Sequence, residues 1–330
     1  MVSTQSGSIS CSPSKPAHTL RGYLFIAGAG LMWGISASMG RAAFTGKLLA
    51  GSPHPIDPLI IAQSRTTISL LVLAPLLLAR RGPQAFRMGR RDFVLSLILG
   101  VLGVAFSNYF YYLAIQKTNV ATAIILQYTA PILVLSYMVA RRRQRATPRR
   151  VGSVMLAVLG IALAVGVIGP GRFRISLSGL VVAELAAASF AYYNVAAGSL
   201  LQRYDRWRVL VMALLAAAAF WLIVNPPSKV MAAHYSGAEW LFLAVFAVTS
   251  VLLPFSFYFA GLQCLDATRA IVTSCLEPVF TIAIAAAVLG ESLGLTQLFG
   301  ISLVLIATIT IQLPETARPA AAPIAAGTAD

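Results

Sequence analysis

The sequence predicts an all-α polytopic membrane protein with ten transmembrane helices, arranged as two inverted five-helix repeats. Three observations support this fold class: an apolar composition, apolar blocks of spanning length, and an internal repeat. The 330 residues are 58% hydrophobic and 11% charged, whereas a soluble domain carries roughly 25% charged residues. The apolar blocks are about 16 to 24 residues long, close to the ~20 residues that a helix needs to cross the bilayer.

Ten candidate spans follow from these blocks. Most of them lack the polar stripe at 3.6-residue spacing that marks a helix on the surface of a soluble core. They are residues 22–44, 59–79, 93–115, 120–140, 151–168, 179–201, 209–224, 240–263, 270–289 and 296–313.

Lysine and arginine are unevenly distributed over the segments that connect the spans. With the N-terminus inside, the inside segments hold 18 of the 25 basic residues, the outside segments hold 5, and Arg41 and Arg65 lie within spans. Short cytoplasmic loops of membrane proteins carry an excess of positive charge. The distribution therefore predicts a multi-pass protein of the inner (plasma) membrane with both termini in the cytoplasm and an even number of spans.

An internal repeat relates the third and fourth spans to the eighth and ninth. A shift of 147 residues superimposes five identical residues without a gap: Tyr111 on Tyr258, Gln116 on Gln263, Ala123 on Ala270, Ile124 on Ile271 and Pro131 on Pro278. Each half then has five spans, and because five is odd, the second half inserts upside down. Transporters recurrently use inverted repeats, with the substrate site near the midplane.

The predicted organisation has four parts. A disordered cytoplasmic tail at 1–19 precedes the first five-helix repeat at 20–170. The second repeat occupies 171–313, and a second disordered cytoplasmic tail occupies 314–330.

Two segments at equivalent places in the halves carry a family resemblance. Segments 119–152 and 268–300 each contain a helix with a central proline, followed by a final helix that opens near a glycine. The second segment has a Gly-Glu turn at Glu291, where the first has Arg143. Together with Met32-Trp33-Gly34, these segments resemble the paired signatures of EamA-type permeases in the drug/metabolite transporter superfamily. The resemblance covers about residues 22–313 and implies a transporter, but not its substrate.

Polar and aromatic side chains inside the spans are the candidate substrate-binding residues. Polar groups are costly in lipid, so their presence deep in several spans indicates a cavity lining. The alternative is that they bridge packed helices or, for tyrosine, anchor at the headgroups. The candidates are Trp33, Asn108, Tyr109, Tyr112, Gln127, Tyr128, Tyr192, Tyr193, Asn194, Tyr258, Ser274 and Glu277.

Pro131 and Pro278 are predicted to break their helices at equivalent positions. Proline lacks an N–H and crowds the carbonyl four residues earlier, which frees the carbonyls of Gln127 and Ser274. Broken helices in both repeats point to a transporter site, although a kink that only shapes packing is the alternative. The Gly30-x-x-x-Gly34 motif is interpreted as a close helix contact without a chemical role.

Four charged side chains lie within the predicted spans: Arg41, Arg65, Glu184 and Glu277. Glu184 is predicted to pair with Arg65 or Arg41 and to help close an outer gate, the alternative being that each arginine snorkels to the headgroups. Glu277 is predicted to be the acid of the site, where it exchanges a proton for a cationic substrate. The alternative is a glutamate that only packs helices.

The sequence contains no motif for hydrolysis or nucleotide binding, and its three cysteines and three histidines lack metal-ligand spacing. The basic residues lie in short loops, which argues against a nucleic-acid partner. We therefore expect no cofactor, no metal and no enzyme. The predicted function is secondary transport, by alternating access, of small metabolites such as amino acids or amphipathic or aromatic compounds, most simply as export.

The expected partners are a small-molecule substrate, the lipid bilayer and protons, in a monomer or homodimer. Two alternatives remain open from the sequence: a membrane-embedded enzyme and a non-transporting membrane subunit. The sequence does not define substrate identity, direction of transport, coupling ion or oligomeric state.

Overall fold

The structure of the protein is a computed structural model, and it describes residues 16–44, 56–117, 120–165, 177–289 and 294–313. This part of the chain is helical and contains no strand. Its α-helices are α1 (Pro16–Phe44), α2 (Pro58–Arg81), α3 (Arg90–Ile98), α4 (Phe106–Lys117), α5 (Val120–Gln127), α6 (Ala130–Ala140), α7 (Pro148–Ala164), α8 (Leu177–Leu201), α9 (Arg206–Val224), α10 (Pro227–Ala232), α11 (Gly237–Ala247), α12 (Leu253–Leu262), α13 (Ala267–Ser274), α14 (Leu276–Leu289) and α15 (Leu295–Gln312).

Two pairs of these helices are joined by π-helical segments. Leu99–Ala105 connects α3 to α4, and Val248–Leu252 connects α11 to α12. Two further pairs, α5/α6 and α13/α14, are separated by short breaks at the prolines that the sequence singled out. A helix break thus precedes each of the two prolines by two or three residues, whereas the π-helical segments were not predicted.

Helix bounds recur along the chain at one offset. A shift of 147 residues places α5 (Val120–Gln127) on α13 (Ala267–Ser274) with identical bounds. The same shift places α3, α4, α6 and α7 on α11, α12, α14 and α15 within a few residues. The two π-helical segments overlap under the same shift. The helix bounds thus recur at the same offset as the five identities in the sequence.

The first helix of each half packs on the other half. Helix α1 lies against the segment Val248–Leu252 and helices α12, α13 and α14, and α8 lies against the segment Leu99–Ala105 and helices α4, α5 and α6. Two contacts join equivalent helices directly, α2 with α9 and α7 with α15. The packed interior between the two halves of the chain is therefore formed by helices of both halves.

Glycines allow the closest of these contacts. A Cβ on Gly300 of α15 would lie 2.4 Å from the backbone nitrogen of Ala164 and 2.6 Å from the carbonyl oxygen of Gly160 on α7. On α1, a Cβ on Gly30 would lie 3.4 Å from the backbone nitrogen of Glu277, and one on Gly34 would lie 3.1 Å from that of Thr281. The predicted packing role of the Gly30–Gly34 pair is confirmed.

Helix starts are fixed by polar caps. The carboxylates of Asp57, Asp205 and Asp266 accept hydrogen bonds from backbone N–H groups in the first turns of α2, α9 and α13. Ser236 and Glu239 form a reciprocal capping box at α11. Such caps satisfy N–H groups that have no partner inside the helix.

Within the described residues, eight helical stretches are long and apolar enough to cross a membrane. They are Leu59–Phe86, Arg90–Ala114, Ala123–Ala140, Leu177–Leu201, Arg206–Val224, Gly237–Leu262, Ala267–Ile284 and Leu295–Gln312. The other two predicted spans correspond to α1, of 29 residues, and α7, of 17 residues. At 1.5 Å per residue α7 is roughly 26 Å long, slightly less than the ~30 Å hydrocarbon core.

Several expectations fall on residues outside the described part of the chain. These are the tails at 1–15 and 314–330, the Gly-Glu turn at Glu291, and the side chain of Arg41. Helix α1 begins at Pro16, so the last four residues of the predicted N-terminal tail are helical.

Candidate substrate-binding site

An aromatic cluster forms where α1, α8 and α12 meet. The ring of Trp33 lies 5.3 Å from that of Tyr258 and 5.6 Å from that of Phe255, measured between centroids. Tyr193 lies 5.8 Å from Tyr258 and 5.6 Å from Phe259. Three of the sequence-predicted residues, Trp33, Tyr193 and Tyr258, are thus brought together from both halves of the chain.

A buried polar pair lies inside this cluster. The Tyr258 hydroxyl donates to the Oδ1 of Asn194, whose side-chain nitrogen donates to the carbonyl of Phe190 at 2.8 Å. Both residues are fully buried. Because a buried amide without partners is costly, these bonds fix the orientation of Asn194 and of the Tyr258 ring.

Carbonyls of the π-helical segment Val248–Leu252, and of Ala247 just before it, accept hydrogen bonds from side chains of α1 and α2. Trp33 donates its indole N–H to the carbonyl of Ser250 at 3.2 Å, and Ser36 donates to the carbonyl of Thr249 at 3.0 Å. Ser69 of α2 donates to the carbonyl of Ala247 at 3.1 Å. Ser36 and Ser69 were missed in the sequence, because serines at these positions look like ordinary packing residues.

A second polar group lies at the break between α13 and α14. The Tyr128 hydroxyl donates to Oε2 of Glu277 at 2.8 Å and lies 3.5 Å from the carbonyl of Ser274. That carbonyl is the one that Pro278 was predicted to free. Tyr128, Ser274 and Glu277 therefore form one group, in which the broken helix of the first half contacts the broken helix of the second.

Arg65 of α2 places a positive charge against the ring of Tyr112. Its guanidinium carbon lies 5.6 Å from the centroid of the Tyr112 ring, within the range of a cation–π contact. The Nε atom of Arg65 is buried and forms no hydrogen bond with any described residue.

Tyr109 and Tyr112 lie in a neighbouring aromatic group with α9. Tyr109 contacts Phe220 and Trp221 with centroids 6.2 and 6.1 Å apart, and Tyr112 is buried with Trp221. These two tyrosines therefore pack against α9, and Tyr112 also contacts Arg65 of α2.

Three predicted residues lie apart from both groups. Asn108 donates to the carbonyl of Val104 within its own helix at 2.7 Å. Tyr192 is partly buried on α8. Gln127 is partly buried at the end of α5. Their side chains form none of the contacts that build the Tyr128–Glu277 group.

Glu184 is hydrogen-bonded to Thr129 and does not contact Arg65, and the side chain of its other predicted partner, Arg41, lies outside the described residues. Its carboxylate accepts a hydrogen bond from Thr129 at 3.3 Å, in the break between α5 and α6. Among the described residues it forms no ion pair, and the guanidinium of Arg65 instead lies over the Tyr112 ring. The predicted pair of Glu184 with Arg65 is absent from this structure.

The ion pairs lie near the arginine-rich segments that connect the helices. Arg81 contacts Asp205 at 2.8 Å, and Arg203 contacts Asp92 at 2.6 Å. Asp266 is 3.6 Å from Arg150 and 3.4 Å from Arg269. These contacts tie α2, α3, α7 and α13 to neighbouring turns. No group of three or more metal-ligating side chains was found among the described residues.

Comparison with known proteins assigns the chain to a family. A model of the EamA-like transporter family matches the chain twice, at residues 20–166 and 177–313, which confirms the resemblance predicted from the motifs. The chain is 27% identical over 288 residues to the uncharacterised inner membrane transporter YicL of Salmonella typhimurium, covering 83% of this chain and 95% of that protein. It is 27% identical over 252 residues to the threonine/homoserine exporter RhtA of Escherichia coli, covering 76% and 82%.

A solved structure shows the same fold. A protein known from a crystal structure superimposes with a TM-score of 0.70 at 20% sequence identity, covering 90% of this chain and 97% of the other. The overall arrangement of helices is therefore one that has been observed before.

Proposed function

The chain belongs to the EamA-like transporter family and is a multi-pass membrane transporter of small molecules; on that premise we propose that it moves metabolites by alternating access about a site between its two halves. The ten helical spans form two inverted five-helix repeats in the inner membrane, and both termini lie on its cytoplasmic side. The substrates are amino acids or similar small amphipathic or aromatic compounds, and the direction is export.

One observation carries the proposal: polar groups from both halves converge at paired helix breaks. Tyr128 of the first half donates to Glu277 of the second, directly beside the Pro278 break. The recurrence of helix bounds at a 147-residue offset supports the repeat, and broken helices in matching positions are typical of transporter sites.

The substrate class follows from the walls of the site. Trp33 and Tyr258 offer ring faces to apolar or aromatic groups, and the Glu277 carboxylate offers a negative charge to an amine. The amino-acid substrates in the name of the relative RhtA are consistent with this choice. Glu277 also provides a group that can take up a proton when the cationic substrate leaves, which couples export to proton entry.

The test is transport by the purified protein in proteoliposomes. Vesicles loaded with an unlabelled mixture of proteinogenic amino acids should accumulate a labelled amino acid by exchange. In a second assay, an imposed proton gradient should drive net movement of the amino acid. Empty vesicles and Glu277→Gln vesicles are the comparisons. Failure of every amino acid, amine and aromatic acid to move in either assay would contradict the proposal.

A further inference from the structure

We propose that α13 is a gate at the cytoplasmic end of the helix bundle, and that two polar contacts at its N-terminus hold this gate shut. The contacts are the hydrogen bond from Thr268 to Gln144 and the ion pair of Asp266 with Arg150, together called the latch. The inference rests on the proposed transport by alternating access, and it adds the element that closes one face of the protein.

The latch joins the two halves of the chain at one end of the bundle. Thr268 donates its hydroxyl to Oε1 of Gln144 at 2.7 Å, and a carboxylate oxygen of Asp266 lies 3.6 Å from a guanidinium nitrogen of Arg150. Gln144 belongs to the arginine-rich turn between α6 and α7, and such basic turns lie in the cytoplasm. Both contacts must therefore break before α13 can leave this turn.

Helix α13 fills the interior of this end of the bundle. Every residue of α13 except Arg269 is buried, because the helix packs against α1, α6, α7, α8, α12 and α15. Its last residue is Ser274, whose carbonyl lies 3.5 Å from the Tyr128 hydroxyl of the candidate site. The helix thus lies between that site and the cytoplasmic end, so access from the cytoplasm requires it to move.

The break after α13 provides a hinge. The helix ends at Ser274 and α14 begins at Leu276, and Pro278 has no N–H to bind the carbonyl of Ser274. Helices bend most readily at proline. At the other end of α13, the carboxylate of Asp266 accepts a hydrogen bond from the backbone N–H of Arg269 at 3.0 Å and caps the helix. The eight residues of α13 can therefore pivot together about the break.

Two other hydroxyls of α13 are bonded within the helix. Thr273 donates to the carbonyl of Arg269 at 2.7 Å, and Ser274 donates to that of Ile271 at 2.8 Å. These bonds move with the helix, so pivoting leaves neither hydroxyl without an acceptor. The latch contacts do break, but one hydrogen bond and one partly exposed ion pair each contribute little net stability. The latch is therefore weak enough to open during transport.

The first half of the chain contains an equivalent helix. A shift of 147 residues places α5 on α13 with identical bounds, and α5 also ends at a break that precedes a proline. Inverted repeats place equivalent elements at opposite faces of the membrane. Helix α5 is therefore the corresponding element on the outer face, and alternating access needs one gate at each face.

The accessibility of a buried position on α13 tests the latch. In a background without native cysteines, Thr273→Cys is labelled with a membrane-impermeant maleimide in inside-out membrane vesicles. Labelling should be slow with an intact latch, because Thr273 is buried. Adding Thr268→Val and Asp266→Asn should raise the rate roughly threefold or more, as expected for the loss of a hydrogen bond and a charge. Asparagine at 266 still caps the helix.

A matched substitution controls for the loss of a hydroxyl. Thr308→Val removes a buried hydroxyl that is bonded within α15 at 2.9 Å, and it should leave the labelling rate of Thr273→Cys unchanged. Equal labelling rates with the intact and the broken latch would overturn the role of the latch.

A covalent link across the latch tests the gate through transport. Thr268→Cys and Gln144→Cys are joined by a short bifunctional methanethiosulfonate, and amino-acid exchange in proteoliposomes is measured before and after reduction. The link should abolish exchange, and reduction should restore it. The control pair is Arg81→Cys with Asp205→Cys, which replaces an ion pair of 2.8 Å that joins the halves without α13. Linking this pair should leave exchange largely intact.

The outcomes distinguish this inference from the transport proposal. Undiminished exchange in the protein linked between 144 and 268 would overturn α13 as the gate and leave transport standing. Equal loss of exchange with the control link would do the same, because the whole end of the bundle would then move. Absence of exchange in the unlinked protein would contradict the proposed function, whereas the labelling rates would still decide whether the latch closes α13.

Discussion

Tyr128 and Glu277, which are 149 residues apart, are joined by a hydrogen bond of 2.8 Å from the tyrosine hydroxyl to the glutamate carboxylate. Each residue lies at the break of a helix, Tyr128 between α5 and α6 and Glu277 at the start of α14. The bond therefore connects the two halves at the point where both backbones depart from regular helix.

Replacing Tyr128 by Phe should weaken this connection. The variant leaves a carboxylate oxygen of Glu277 without its donor, at a cost of about 1–2 kcal/mol in stability. Thermal unfolding in detergent should show a lower midpoint than wild type, and transport should slow. Tyr137→Phe on the exposed face of α6 is the matched control. Equal midpoints for the two variants would mean that the bond contributes nothing.

Replacing Glu277 by Gln should separate coupling from transport. The variant keeps the size of the side chain and removes the charge that a proton neutralises. It should reach the membrane in normal amounts and lose proton-driven accumulation in proteoliposomes, while substrate exchange persists at reduced rate. Transport rates measured across pH should become flat. Wild-type rates with an unchanged pH profile would leave Glu277 with a structural role only.

Cysteine labelling should establish the orientation. In a background with the three native cysteines replaced, a membrane-impermeant reagent on intact cells should label Lys229→Cys in α10 and spare Arg143→Cys after α6. Any outer membrane must be permeabilised first. The expected difference follows from the distribution of basic residues over the loops. Labelling at both positions to the same extent would contradict the inverted arrangement.

Double-mutant cycles should distinguish the partners of Glu184. Glu184→Gln and Thr129→Val should show a coupling of about 0.5–1 kcal/mol, because the two side chains are hydrogen-bonded at 3.3 Å. Glu184→Gln and Arg65→Gln should be additive within about 0.5 kcal/mol. The readout is thermal stability of the purified variants. A large coupling between Glu184 and Arg65 would show that they meet in another state of the transporter.

Gly300 should tolerate a methyl group poorly. Its Cβ would fall 2.4 Å from the backbone of α7, and backbone cannot move aside as a side chain can, so Gly300→Ala should cost roughly 1–3 kcal/mol. At Gly152 of α7 an added Cβ meets nothing within 4 Å. There the same change should be neutral or stabilising by up to about 1 kcal/mol. Similar unfolding midpoints for both variants would contradict the close contact.

The apolar blocks predicted the helices well but began them late. The spans predicted from 93, 151, 209, 240 and 270 start in the structure at Arg90, Pro148, Arg206, Gly237 and Ala267, each three residues earlier. Those three residues are nearly one helical turn, and several of them are charged. A polar first turn remains helical because caps such as Asp205 bind its free N–H groups, which hydropathy alone does not detect.

Part of the candidate site could be predicted from chemistry and part could not. Proline chemistry indicated the free carbonyl of Ser274, and the polar residues Tyr128 and Glu277 were noted beside it. The contact between Arg65 and Tyr112, however, depends on how α2 and α4 are rotated about their axes. The π-helical segments have no compositional signature, so their carbonyls could not be identified as the acceptors for Trp33 and Ser36.

The crossed packing of α1 and α8 determines which parts of the protein can move as bodies. Because α1 is packed on α12–α14 and α8 is packed on α4–α6, each packed unit combines helices from both halves of the chain. A domain boundary drawn between 165 and 177 would cut through both units. Separately produced halves should therefore fold only when they are made together, each supplying the helix that the other lacks.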